Sequence, residues 1–434
     1  MFIKSNIKYI RTAQGPKTIE QIKEEIKSSN YDFPLTTLPY EHILHDISSH
    51  LQKIPSISDP MSKIELSNLS TIIKNPLIIY QNLYFDADIS KISNELIYTK
   101  KFNCNLICDV TNEKYHQNIQ IMKDIQDISQ VNICFGQTLD YNKAKTDLKK
   151  YSNELQYSIV YGNDDELENN KLIPGFIGEE LIEEEFSLDK NEFQDKINLY
   201  RMIISDLVNK YEIPFFIKLQ GKQKYKNSNT IIDFFNINKI SNKRKIVFIL
   251  SISDYDENNY NSEIKNLIEY ILKNEYSIIL TTYECDYSIL DKSIERKINL
   301  YDLYYNNTKA IFLNKIIKDF SNYMKQIMLS NNINYRIQLK EYGGFGYNNL
   351  FENYFNTITE GLSEENINDL FHNNLLNILC YWEPIEKFKK SVKMVKCENC
   401  QIEKEENDKE LFSKYDKTFC SFRCLKEWLK KNPQ

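Results

Sequence analysis

Two close pairs of cysteines near the end of the sequence have the spacing of a metal site. Cys397 and Cys400 are separated by two residues and Cys420 and Cys424 by three, with nineteen residues between the pairs. Two such pairs can place four thiolates around one tetrahedral Zn²⁺ ion at about 2.3 Å. Because four thiolates leave no open coordination position, we predict one structural zinc ion that takes no part in catalysis.

The segment around these cysteines is too polar to build a large core of its own. Zinc closure would keep such a short segment folded, whereas the alternative interpretation leaves four unligated surface thiols. Residues 419–425 resemble the FCS-type and related small zinc fingers, in which the second pair opens a helix, here Leu425–Lys431. The resemblance implies a module that binds protein or RNA, and the surrounding lysines are compatible with either partner.

A second set of metal-binding residue types lies near the beginning of the sequence. The run Thr37–Asp46 contains His42 and His45, which on their own are as compatible with surface or core histidines as with ligands. The run resembles the first-strand signature of the phosphotriesterase family in the amidohydrolase superfamily, which usually reads Thr-Leu-x-His-Glu-His-Leu-Leu-x-Asp. Further segments resemble that family in the same order: 14–16, 105–111, 131–136, 175–179, 214–218, 330–347, 361–365 and 373–374.

The resemblance covers about residues 5–384 and implies a (β/α)8 barrel with two divalent metals at its C-terminal face. Such a pair activates a hydroxide and polarises an ester, lactone, amide or phosphoryl oxygen. The family holds its metals with two His on strand one, a carboxylate or carboxylated Lys on strand four, one His each on strands five and six, and an Asp on strand eight. The corresponding positions here are Tyr40, His42, Glu179, Lys218, Ser251 and Asn332.

Only His42 and Glu179 keep a family ligand type, and the sequence has no histidine between His116 and His372. Two ligands do not hold two ions, so we predict that the barrel metal is absent and name no catalytic residue. The amide of Asn332 cannot accept a proton from a metal-bound water.

Lys218 would repel a metal cation. We expect its ammonium to pair with the buried carboxylate of Glu179 and Tyr40 to fill the volume of the lost imidazole and metal. A register error of one residue in this strand would instead expose Lys218.

Short apolar runs that alternate with longer amphipathic stretches must position these residues. Asp195–Tyr211, Ile264–Leu272 and Ile311–Met328 have helical periodicity. Repeated β-then-α units predict a parallel sheet, and six or more of them favour an α/β closed TIM barrel over an open doubly wound sheet, which usually has a glycine-rich turn. The predicted strands are 105–110, 131–135, 175–177, 214–219, 246–251 and 276–281.

Composition bounds the remaining choices. The 434 residues are 41% hydrophobic with a net charge of −6, which argues against disorder and against a wholly basic nucleic-acid-binding protein. Residues 385–434 carry thirteen Lys or Arg and nine Asp or Glu, so this tail is basic. We predict a barrel over 1–384, a basic linker over 385–396 and a four-cysteine zinc finger over 397–434.

The sequence contains no run of 18 apolar residues and no secretory signal pattern. Nine cysteines with one tight cluster indicate a reduced, intracellular protein, in the cytoplasm rather than in mitochondria. We expect a non-catalytic binding or scaffold protein that docks a partner protein through its zinc finger and does not bind membranes. The alternatives are a divergent metal-dependent hydrolase of ester, lactone or phosphoester substrates, and an RNA-binding protein that uses the basic tail.

Overall fold

The computed structural model describes residues 8–25, 33–52, 59–85, 89–112, 118–162, 173–182, 193–219, 224–252, 263–283, 307–381, 394–405, 411–415 and 417–432. The chain forms two compact units, which within these ranges are residues 8–381 and 394–432. Most of the predicted linker, 385–396, lies outside the described residues, as does the predicted boundary at residue 384.

The larger unit is an eight-stranded parallel barrel, which confirms the predicted fold class. An antiparallel hairpin of β1 (Tyr9–Thr12) and β2 (Gly15–Thr18) precedes it. The eight following strands pair in chain order, each parallel to the next. They are β3 (Thr36–Glu41), β4 (Cys104–Asp109), β5 (Asn132–Gln137), β6 (Phe176–Ile182), β7 (Phe215–Leu219), β8 (Ile246–Ser251), β9 (Ser277–Thr281) and β10 (Ile327–Ser330).

Helices connect these strands and surround the barrel, as a (β/α)8 fold requires. A short helix, Ile19–Glu24, precedes β3. The helices Leu66–Lys74, Tyr80–Leu83 and Ile89–Thr99 follow β3, Ile119–Ser129 follows β4, and Tyr141–Thr146 and Leu148–Tyr161 follow β5. The helical segments Gln194–Ile203, Ile204–Val208 and Asn209–Tyr211 follow β6, Lys224–Ile237 follows β7, Glu263–Lys273 follows β8, and Asn307–Asp319 follows β9. The segments after β10 are Leu350–Tyr354, Phe355–Thr359, Glu364–Asn368, Asp369–Asn373 and Asn374–Leu379.

Side chains alternate between two buried layers along each strand. In β7, Phe215, Ile217 and Leu219 pack in the layer between strands and helices, while Phe216 packs in a second cluster that lies inside the barrel. Because side chains alternate with a period of two, Lys218 shares the inner face with Phe216. Tyr40 on β3 belongs to the same inner cluster.

An irregularity in β6 decides which of two adjacent glutamates faces inward. The pairing of β6 with β7 shifts register between Ile177 and Glu180, so the alternation changes phase and both Phe176 and Glu179 face the interior. Gly178 allows this bulge, because its φ is +114° and a Cβ there would lie 2.5 Å from the carbonyl oxygen of Phe216. Glu180 then faces the helices.

Glu41 bridges the seam between the first and last barrel strands. Its carboxylate accepts hydrogen bonds from Ser330 Oγ at 2.8 Å, from the amide of Asn331 at 2.7 Å and from the amide of Ile333 at 2.9 Å. Burial raises the pKa of Glu41 to about 7, although these donors favour the charged form. The seam is therefore closed largely by side-chain contacts.

The predicted helix boundary before β10 is wrong. The helix expected over Ile311–Met328 is Asn307–Asp319, followed by 3₁₀ turns at Ser321–Gln326, and Ile327 and Met328 already belong to β10. The apolar residues of the turn and strand happen to continue the helical spacing, which explains the error.

The smaller unit combines two short hairpins with one helix. Strand β11 (Met394–Lys396) pairs with β12 (Glu403–Glu405), and β13 (Phe412–Lys414) pairs with β14 (Lys417–Phe419), both antiparallel. The helix spans Phe422–Lys431, three residues earlier than predicted, because the side chain of Ser421 caps it by accepting from the amide of Cys424. Its described core is small: Cys397, Phe419, Cys420, Cys424 and Leu425, with Leu411, Trp428 and Leu429 packed against them.

Candidate functional site

Lys218 and Glu179 form a buried ion pair at the C-terminal end of the barrel. Lys218 Nζ lies 3.9 Å from Glu179 Oε2, and the two side chains are 3% and 0% exposed. The expected pairing is therefore present, and the alternative of an exposed Lys218 is wrong. At this distance and burial, each charge compensates the other, and removal of either would leave an isolated charge in a dry site.

Tyr40 covers one side of this ion pair. Lys218 Nζ lies 5.4 Å from the centre of the Tyr40 ring, which allows a cation–π attraction. Tyr40 is fully buried, and its ring centre lies 6.0 Å from that of His42. The phenol thus occupies space beside the ammonium.

Ser251 and Asn332 approach each other from neighbouring parts of the same barrel end. Both donate to the carbonyl oxygen of Tyr283, Asn332 through Nδ2 at 3.1 Å and Ser251 through Oγ at 3.5 Å. Asn332 has a φ of +66°, a left-handed conformation that asparagine tolerates better than most residues. The structure therefore brings the six predicted positions to one end of the barrel.

A hydrogen-bonded chain orients His42. Thr111 Oγ1 donates to Asp109 Oδ1 at 2.9 Å and lies 3.3 Å from His42 Nδ1. Because Thr111 donates its hydroxyl proton to Asp109, it can only accept from His42. The proton of the His42 ring therefore lies on Nδ1, and Nε2 keeps a lone pair. Burial, His45 and Lys218 lower the pKa of His42 well below 6.5, so His42 is neutral.

His45, Asp109 and Thr111 belong to this site, although the sequence interpretation did not assign them to it. The His45 ring stacks on His42 with centres 4.3 Å apart, and burial with the Lys218 charge lowers the pKa of His45 to about 3. The position of Asp109 in the sequence could have indicated its place in the site. It ends a buried strand, and the two neighbouring strands also end in polar residues, Glu41 and Gln137.

Glu180 anchors the bulge behind Glu179. The hydroxyl groups of Tyr141 and Tyr200 donate to Glu180 Oε1, the latter at 2.7 Å. Burial raises the pKa of Glu180, and the two phenols oppose that rise. These contacts hold Glu180 among the helices and so keep Glu179 directed at Lys218.

The donor set at the barrel mouth does not fit a pair of divalent metals. Of the six family ligand positions, only those of His42 and Glu179 carry a metal-binding side chain, and Glu179 faces an ammonium group that would repel a cation. Within the described ranges, the residues grouped closely enough to hold a metal through three or more His, Cys, Asp or Glu ligands are Cys397, Cys400, Cys420 and Cys424.

The four thiols of the smaller unit have the geometry of a zinc site. All four Sγ atoms lie within 4.8 Å of one another, and the separations Cys400–Cys420 and Cys420–Cys424 are 3.4 and 3.5 Å. A tetrahedral Zn–S₄ site with bonds of about 2.3 Å needs sulfur atoms roughly 3.8 Å apart. Burial alone would raise the pKa of Cys397, but the amides of Cys400, Cys420 and Asn399 lower it to about 6, which favours the thiolate.

Comparisons with known proteins agree with the fold. No family model and no curated protein sequence matches the chain. Among solved structures, a resiniferatoxin-binding protein from Rhodobacter sphaeroides is 14% identical with a TM-score of 0.63, covering 87% of this chain and 96% of its own. The phosphotriesterase homology protein from Escherichia coli, solved with phosphate in its active site, is 15% identical with a TM-score of 0.54, covering 80% and 100%.

The class of protein that these neighbours define is the phosphotriesterase-like barrel, and at these identities the likeness shows the fold alone. Within the described ranges, no helix is long and apolar enough to cross a membrane. The cellular compartment stays a prediction.

Proposed function

We propose that the larger unit is a phosphotriesterase-like barrel of the amidohydrolase superfamily that has lost its binuclear metal centre and acts as a non-catalytic binding or scaffold protein. The observation that carries this proposal is the buried pair of Lys218 and Glu179. The Lys218 ammonium lies where a metal ion would have to be in order to be coordinated by Glu179. The charge of Lys218 already neutralises that carboxylate.

The surrounding residues support the same function. The amide of Asn332 cannot take a proton from an attacking water. Tyr40 is packed in the inner core beside Lys218, so space beside the pair is filled by protein. Of the six family ligand positions, only those of His42 and Glu179 keep a side chain that could act as a metal ligand, and Glu179 is already paired with Lys218.

The zinc module would dock the partner protein. Three large hydrophobic side chains on it are exposed: Phe422 at 63%, Ile402 at 57% and Tyr415 at 42%. Aromatic side chains, including Phe, are enriched at the centre of protein interfaces.

The metal content of the purified full-length chain tests the loss of the barrel metal. We expect one zinc ion per chain, and we expect the double variant Cys397→Ser and Cys400→Ser to contain none. Cys380→Ser, which changes a cysteine of the larger unit, should keep the single zinc ion and serves as the control.

The alternative is a divergent hydrolase that uses His42 and Glu179. It predicts metal that remains in the double cysteine variant and hydrolysis of ester, lactone or phosphoester substrates. If such activity is present and Glu179→Gln abolishes it, the non-catalytic function is wrong.

A further inference from the structure

A polar cavity of about 520 Å³ lies at the end of the barrel where the strands begin, away from Lys218. Glu212, Lys245 and Lys325, which precede β7, β8 and β10, contribute to its wall together with the segments 8–23 and 369–380. This volume lies within the range of about 300–1,000 Å³ that is typical of small-molecule sites.

Positive charge dominates the wall of this cavity. Five cationic side chains line it, against the two acidic side chains of Glu212 and Asp369; the cations are Lys8, Lys23, Arg244, Lys245 and Lys325. Lys23 and Arg244 form no ion pair within the described part of the chain. Lys325 pairs with Glu365 at 3.8 Å, but both side chains are mostly exposed, so that pair neutralises little of the charge.

One of the cations that line the cavity, Lys245, has a structural role. Lys245 is buried, and its Nζ donates to the carbonyl oxygens of Ile378 and Cys380, which end the last helix of the barrel. It therefore fixes the wall, while Lys23 and Arg244 are available to a ligand. A cavity whose wall carries more cationic than acidic side chains attracts a compact anion, and guanidinium and ammonium groups bind phosphate well.

The remaining polar groups suit hydroxyl groups on the same ligand. Asp369 is 7% exposed; its Oδ1 accepts from Asn373 Nδ2, and its Oδ2 has no hydrogen-bond partner among the described residues. A buried carboxylate oxygen is usually hydrogen-bonded, so we expect this one to accept a hydrogen bond from a ligand hydroxyl group. Amide side chains, which both donate and accept hydrogen bonds, also line the cavity: Asn242, Asn373, Asn374 and Asn377.

The apolar part of the wall distinguishes between classes of phosphorylated ligand. It consists of aliphatic residues such as Ile19, Leu376 and Ile378, and no aromatic side chain is among the described residues that line the cavity. A nucleobase would usually stack on an aromatic ring, whereas a polyol needs hydroxyl partners and a modest apolar surface.

We propose that this cavity is a binding site for a phosphorylated polyol, such as a sugar phosphate. The phosphate lies among Lys23, Arg244 and Lys325, and the hydroxyl groups bind Asp369 and the surrounding amides. The site lies away from the barrel mouth and does not depend on whether the mouth is catalytic.

Calorimetric titration of the full-length chain with glucose 6-phosphate, inorganic phosphate and glucose tests the proposal. We expect glucose 6-phosphate to bind more tightly than phosphate, and glucose to give no measurable binding. The double variant Lys23→Ala and Arg244→Ala should lose at least about tenfold in affinity for glucose 6-phosphate, because two charge-assisted contacts are removed. Lys149→Ala with Lys210→Ala, which removes two lysines outside the cavity, should bind like the unchanged protein.

Asp369→Asn separates the hydroxyl contacts from the phosphate contacts. It should reduce the advantage of glucose 6-phosphate over phosphate without weakening the binding of phosphate itself. Lysine acetylation followed by mass spectrometry gives a readout that does not depend on variants: glucose 6-phosphate should protect Lys23 and leave Lys149 reactive.

Three results would overturn the proposal. The first is the absence of binding of both phosphate compounds at millimolar concentration. The second is an unchanged affinity in the Lys23 and Arg244 double variant. The third is equal affinity for phosphate and glucose 6-phosphate, which would reduce the site to a non-selective anion site.

Discussion

The barrel mouth and the cysteine module both bury ionisable side chains, but they neutralise the charge differently. At the mouth, the protein supplies the cation itself, since Lys218 lies 3.9 Å from Glu179. In the module, the Sγ atoms of four cysteines lie within 4.8 Å of one another. The ammonium therefore balances the carboxylate within the barrel, whereas the four converging thiol groups could hold a metal ion.

The two regions also differ in how much apolar packing supports them. The mouth lies on a barrel with extensive inner and outer cores, so its fold does not depend on the ion pair. The module's described core contains three of the four cysteines themselves with Phe419 and Leu425 as its other buried members. Metal loss should therefore unfold the module, whereas loss of the ion pair should only destabilise the barrel.

Removal of zinc should produce the largest effect. Cys397→Ser with Cys400→Ser, or a strong chelator, removes a binding free energy on the order of 10 kcal/mol that is also folding free energy. We expect hydrogen exchange to become fast throughout 411–432 while β3 to β10 stay protected. Protection that remains in the module without zinc would show that its small core is sufficient, and exchange that rises equally in the barrel would show that the two units fold as one.

Breaking the ion pair should have the next largest effect. Lys218→Ala leaves Glu179 charged in a dry site and should lower the free energy of unfolding of the barrel by about 3–5 kcal/mol, measured by urea denaturation. Lys218→Met combined with Glu179→Gln removes both charges and should recover most of that loss.

The matched control is the exposed pair of Lys265 and Asp319, whose atoms are only 2.9 Å apart. Lys265→Ala should cost about 0–1 kcal/mol, because water screens the charges. Equal costs for Lys218→Ala and Lys265→Ala would mean that water reaches the barrel mouth.

The sequence predicts the residues of the cysteine module more completely than those of the barrel mouth. The zinc site follows from spacing alone, because the ligands are close in the chain and zinc geometry is strict. The resemblance to the phosphotriesterase family predicts that Lys218 and Glu179 meet at the barrel mouth, but Glu179 faces inward through a bulge that strand alternation does not reveal. The chain of His42, Thr111 and Asp109 joins two strands about seventy residues apart in sequence, and no local pattern reports such a contact.

A third prediction concerns His372, a buried histidine of the barrel. Burial lowers the pKa of His372 from 6.5 to about 4, and the charge of Lys23 adds to the effect. Since the folded-state pKa is depressed, the stabilising contribution is fully present above pH 6.5 and is lost as the pH falls through about 4.

We therefore expect the free energy of unfolding to fall by about 3 kcal/mol between pH 6.5 and 4 on account of this residue. His372→Gln, which does not titrate, should remove that part of the pH dependence. If the two proteins lose stability in parallel over this range, His372 is not held neutral by the fold.

The smallest effect should come from helix caps, and it compares the two units with the same chemical change. Ser421 caps the module helix by accepting from the amide of Cys424 at 3.2 Å, and Ser363 caps a barrel helix by accepting from the amide of Asn366 at 3.3 Å. Replacement of either serine by alanine should cost about 1 kcal/mol. Because Cys424, at the start of the capped helix, belongs to the cluster that we expect to bind zinc, Ser421→Ala should also weaken zinc binding about fivefold in a competition titration. Ser363→Ala should lower the barrel's stability without any change in zinc affinity, and an equal change in zinc affinity in both variants would contradict the separate folding of the two units.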